Sequence, residues 1–103
     1  MTQHLRSAWT LESLRSLRTE ILALAEKNRA SDVRIFGSLA RGETNSGSDV
    51  DFLVTFQPEA SIFDQIGLWL DLQDLLACEV DVLADHPDAG SVTQTARLTA
   101  IPL

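Results

Sequence analysis

Three aspartates in this chain have the spacing that metal chemistry needs. Asp49 and Asp51 stand two residues apart at the mouth of an apolar run, DVDFLVTF, and Asp81 lies inside a second one, EVDVLAD. Alternate side chains of an extended strand share a face, so Asp49 and Asp51 project together from backbone positions roughly 6–7 Å apart. Removing such a pair from water is costly unless a counter-charge offsets it. Hard Mg²⁺ does so, taking carboxylate oxygens together with water and substrate phosphate. Asp81 has the same parity, with Val80 and Val82 on the opposite face. If the two strands are neighbours, the three acids converge, and two metal ions held there could clamp an in-line phosphoryl or nucleotidyl transfer. Singly, each acid has a plainer role. Asp49 after Ser48 could finish a turn, and Asp81 could be an edge-strand charge that discourages aggregation.

Upstream, Gly37-Ser38 ends a short apolar segment, VRIFGS, and precedes LARGE, a stretch able to begin a short helix. A helix N-terminus there would aim free N–H groups and the Ser38 hydroxyl at an anion. Neither a Walker A loop nor a G-x-G-x-x-G fingerprint is present. The Gly-Ser pair alone is weak evidence.

The elements that must position these groups are legible from periodicity. Residues 1–9 read as a flexible tail whose last residue, Trp9, could staple onto Leu14. WTLESLRSLRTEILALAEKN reads as one helix, with Leu14, Leu17, Ile21 and Leu24 on its apolar stripe and Thr10 as N-cap. VRIFGS and DVDFLVTF read as strands, the second alternating Val50, Phe52, Val54 and Phe56 with Asp49, Asp51, Leu53 and Thr55. A helix capped by Ser61, with Asp64 at the capping-box position, covers residues 61–77. EVDVLAD is the third strand, and residues 91–100 could form a short closing helix. The order predicts an α/β (α+β) domain over residues 1–103: a small mixed β-sheet with helices packed on one face. The other face is partly open, and the three aspartates should lie on it. The apolar Ile101-Pro102-Leu103 could dock on a partner or pack across the first helix.

Composition narrows the function class. A chain of 103 residues with 45% hydrophobic content suits one compact domain. Cys78 is the only cysteine, which excludes an internal disulfide and suits a reducing cytoplasm; it reads as a small buried hydrophobe. No signal-peptide layout or membrane-length apolar run is present. The net charge is −7, and between Glu43 and Asp88 there are eleven acids and no Lys or Arg. Such a half repels nucleic acid and attracts divalent cations or a basic partner, or simply solvates the surface. Arg34 and Glu43 read as structural, and His4 and His86 as surface residues.

Gly37-Ser38, ten residues, then Asp49-x-Asp51 resembles the signature of the DNA polymerase beta-like nucleotidyltransferase superfamily, and FGSLARGETNSGSDVDFLV resembles its minimal, MNT-type members. The resemblance spans roughly residues 11–100. It implies that Gly37 and Ser38 hold the triphosphate of ATP, that Asp49 and Asp51 bind Mg²⁺, and that Asp81 completes the metal site and helps deprotonate the incoming hydroxyl. Arg41 would touch phosphate, or pair with Glu43 or another acid. It further implies an antitoxin that transfers AMP from ATP to a tyrosine of a cognate HEPN-domain toxin, with two Mg²⁺ ions. The chain has no Tyr, so its own tyrosine is not the target. Without a further acceptor-holding domain, the acceptor would supply its own binding surface, and the scarcity of positive charge after Arg41 speaks against a nucleic acid acceptor. The rival reading is a module that neutralises a basic partner by contact alone. A calcium-binding turn fails, because the further ligands and terminal Glu of an EF-hand loop are missing.

Overall fold

The computed structural model describes residues 9–42, 50–85 and 96–103 of the chain. The N-terminal helical segment falls into two pieces, α1 (Leu11–Ser16) and α2 (Arg18–Lys27). Thr10 caps α1 through a capping box with Ser13, its hydroxyl accepting from the Ser13 N–H at 3.1 Å. The single helix expected over this segment is interrupted at Leu17, whose N–H bonds back only three residues to Leu14. Serines explain the break: the Ser13 and Ser16 hydroxyls donate to the carbonyls of Thr10 and Ser13, competing with the helical ladder. The apolar stripe survives the interruption, with Leu14 and Ile21 fully buried.

Four strands follow: β1 (Ala30–Phe36), β2 (Val50–Phe56), β3 (Val80–Ala84) and β4 (Ile101–Pro102), with α3 (Ile62–Leu76) between β2 and β3. They form one mixed sheet in the order β3-β2-β1-β4. β1 runs antiparallel to β2 and β4, and β3 runs parallel to β2, as a strand-helix-strand unit requires. This is the α+β architecture expected, with the helices on one face. Val33, Ile35, Val50, Phe52, Val54 and Val80 pack there against Leu14, Ile21, Leu68, Leu72 and Leu76. Burial of each such side chain contributes about 1.5–3 kcal/mol.

α3 begins at Ser61, whose hydroxyl accepts from the Phe63 N–H while the Asp64 carboxylate accepts from the Ser61 N–H, the capping box read from sequence. It ends at Ala77, held at φ +56° in the left-handed region. Gly67 lets α3 approach the end of α2: an added Cβ would sit 3.5 Å from Asn28 Cγ and 2.5 Å from its Oδ1. Asn28 is itself buried, donating to the Leu24 carbonyl and to Asp71. Trp9 packs against the core, and its indole donates to the Leu76 carbonyl at 3.1 Å.

The last residues depart from expectation by adding a strand; of the closing helix read over 91–100, residues 91–95 lie outside the described residues. Residues 96–99 make one helical turn, and Ile101–Pro102 then adds a strand beside β1. The Leu103 N–H reaches the Val33 carbonyl, and Arg15 of α1 donates to the carbonyls of Pro102 and Leu103. Proline is admitted because β4 is an edge. The second face of the sheet is partly open, as expected. Leu53 is fully buried on it, while Asp51, Thr55 and Leu83 are half-buried and Asp81 is exposed. Among the described residues no helix is long and apolar enough to cross a membrane.

Candidate active site

The site grows from the end of β1. Phe36 closes the strand, and Gly37 turns the chain at φ +77°, a conformation that disfavours side chains. The segment after it makes one tight turn instead of starting the expected helix. The Arg41 N–H bonds to the Gly37 and Ser38 carbonyls, and the Gly42 N–H bonds to the Leu39 carbonyl. Gly42, at φ +79°, ends that turn. Leu39 is buried in the core and anchors it. Ser38 lies half-buried beside Gly37, and Arg41 stands exposed at the far end.

β2 passes directly beside this turn, pairing Asp51 with Phe36. A Cβ built on Gly37 would lie 3.2 Å from Asp51 Cγ and overlap its Oδ2. Glycine is therefore what allows the turn to approach the carboxylate. On the other side of β2, the parallel register places Asp81 opposite Asp51. Neighbouring strands lie about 4.8 Å apart, so the two carboxylates leave the same face from adjacent backbones. Asp51 is half-buried and Asp81 is exposed. Gly37, Asp51 and Asp81 thus share one end of the sheet, with Ser38 next in the turn. Asp49, together with Glu43, His4 and His86, falls outside the described residues. Among the described residues no group of three or more His, Cys, Asp or Glu is gathered closely enough to hold a metal ion; Asp51 and Asp81 are a pair, and Asp49 lies outside them.

Sequence reading missed a second charged cluster on this face. Asp85, just past β3, accepts from Arg34 of β1 at 2.5 Å and from Arg97 Nη2 and Nε at 2.5 and 3.0 Å. Arg34 also meets Asp32 at 3.2 Å. Its Nε is buried without a partner among the described residues. The hydrogen bonds from Arg97 and then Arg34 hold the Asp85 carboxyl below its ordinary pKa. Arg34 is structural, as expected, but its partner is 51 residues away, and no local pattern announces that. Cys78 packs half-buried against the core.

The profile of the nucleotidyltransferase domain family matches residues 14–95 of the chain. Protein adenylyltransferase MntA of Thermococcus cleftensis is 37% identical over 87 residues, 84% of this chain and 88% of that protein. A solved structure provisionally described as a minimal nucleotidyltransferase superposes with a TM-score of 0.79 at 38% identity, covering 92% of this chain and 97% of that one. A complex of a tri-AMPylated Shewanella oneidensis HEPN toxin with an MNT antitoxin shares the fold at a TM-score of 0.62 and 18% identity, covering 85% and 69% of the two chains.

Proposed function

The chain belongs to the nucleotidyltransferase domain family, and we propose that it is a Mg²⁺-dependent protein adenylyltransferase acting as the antitoxin of a HEPN-domain toxin in the cytoplasm. The observation that carries this reading is the register that sets Asp81 opposite Asp51 while Gly37 abuts the Asp51 carboxylate. Phosphate chemistry needs donors on one side and negative charge to hold a cation on the other, and a glycine turn set against paired carboxylates supports that reading. The name of the Thermococcus relative and the modified toxin in the Shewanella complex support protein as acceptor and AMP as the transferred group.

Each residue then has a role. Gly37 and Ser38 hold the triphosphate of ATP, with the Ser38 hydroxyl as donor, and Arg41 reaches a phosphate oxygen. Asp49, Asp51 and Asp81 would hold two Mg²⁺ ions, which when bound offset charge on the attacking and leaving oxygens. Asp81, more exposed than Asp51, accepts the proton of the acceptor hydroxyl, a tyrosine of the toxin. That oxygen bonds to the α-phosphorus, the bond to the β-phosphate bridging oxygen breaks, and diphosphate leaves. Nucleic acid and membrane are not substrates in this reading, consistent with a net charge of −7. Incubation with ATP, Mg²⁺ and the toxin should add AMP to the toxin, with transfer abolished by Asp51→Asn. Transfer surviving that substitution would contradict the assignment.

A further inference from the structure

α3 carries an apolar stripe on its solvent side. Ile62 is 59% exposed, Phe63 79%, Ile66 43% and Leu70 50%, with Trp69 beside them. At 3.6 residues per turn these five side chains fall within an arc of roughly 120°, adjoining the arc of Leu68, Leu72 and Leu76 that enters the core. Between this stripe and the edge strand β3 runs a groove of about 290 Å³ lined by Ile62, Gln65, Ile66, Trp69, Asp81 and Val82. One wall of it is fixed by Trp69, whose indole donates to the Val80 carbonyl at 2.7 Å. Its size is at the lower limit of small-molecule sites and suits one or two protein side chains instead. Contiguous apolar surface of this kind marks protein contacts.

Resting on the transfer reading above, we infer that this stripe and groove are where the acceptor protein docks, through a segment bearing apolar anchors flanked by Lys or Arg. Two observations select that occupant. Asp81 lines the groove and lies opposite Asp51, so a segment seated there is held beside the candidate active site. The stripe is also bordered by exposed Asp74 along α3, in a half of the chain with eleven acids and no Lys or Arg between Glu43 and Asp88. A second copy of this chain would bring the same acids against them, and like charges facing each other suppress such pairing. A basic partner gains from the same border.

The test uses the full chain co-expressed with the HEPN-domain protein of its own genome. Phe63→Lys with Leu70→Lys alters two exposed positions outside the groove lining. The double variant should keep the wild-type melting temperature and ATP affinity, weaken the complex by at least about tenfold, and slow transfer at limiting toxin. The wild-type chain alone should sediment as a monomer. Wild-type affinity in the double variant would overturn the docking surface. A self-dimer lost in the double variant would also overturn it, assigning the face to a second copy. An Asp51→Asn chain that keeps the complex but loses transfer separates the two claims, since it tests the chemistry with the surface intact. If the wild-type chain does not bind the toxin at all, both fail. Should the double variant not fold, Phe63→Lys alone carries the comparison.

Discussion

Gly37 and Asp51 fit together only because Gly37 has no side chain. At φ +77° its Cα faces the Asp51 carboxylate, and a Cβ there would come within 3.2 Å of Cγ while overlapping Oδ2. The turn and the acid are in this sense one unit, built from residues 14 apart in sequence by the antiparallel pairing of β1 with β2.

Gly37→Ala should therefore hurt twice. The left-handed backbone costs an alanine about 1–2 kcal/mol, and the carboxylate must move. Displacements near 1 Å at a reacting centre can cost about 10²-fold in rate. Thermal unfolding and AMP transfer, measured on the same preparation, should show a modest loss of stability and a much larger loss of activity.

Asp81→Asn should leave the melting temperature unchanged or raise it, because it relieves repulsion from Asp51 across the strand pair. Asp49→Asn with Asp51→Asn should likewise leave the fold intact. Mg²⁺ should raise the melting temperature of the wild type and not of these variants, since only a folded site that binds the ion gains from it. A Mg²⁺-dependent rise preserved in the variants would remove the acids from the metal site.

How much of this was readable beforehand depends on range. The alternation of Val50, Phe52 and Val54 announced β2, and matching parity announced that Asp81 would meet Asp51 if their strands were adjacent. Ser61 and Asp64 announced the start of α3. Pairings over distance had no such signature. Arg34 finds Asp85 only because β1 and β3 flank β2, and Ile101–Pro102 becomes a strand only because β1 offers an edge. The break at Leu17 came from serine hydroxyls competing for carbonyls, which hydrophobic periodicity does not register.

Asp85 should set the acid limb of stability. Hydrogen bonds from Arg97 and Arg34 lower its pKa in the folded chain. A carboxyl depressed on folding stabilises above the unfolded carboxylate range, near pH 4, and that contribution is lost as pH falls through the folded value. Asp85→Asn should destabilise the chain at neutral pH, about 1.5–3 kcal/mol for the charge-assisted bond to Arg34. It should also flatten the fall in stability below pH 4, read from urea unfolding across a pH series.

Ala77→Gly should do the opposite. Ala77 closes α3 at φ +56°, where alanine is strained and glycine is not. After allowing for the extra freedom of glycine in the unfolded chain, the gain should be about 0.5–1 kcal/mol. Because Ala77 leads into β3, the same variant checks that Asp81 keeps its place: transfer should be unchanged.

The most direct test of the central claim is the intact mass of the HEPN-domain protein after incubation with this chain, ATP and Mg²⁺. The account predicts increments of one or more AMP units on the toxin, absent with Asp51→Asn. An unmodified toxin held in a tight complex, equally tight with the variant, would contradict it and leave a protein that acts by binding alone.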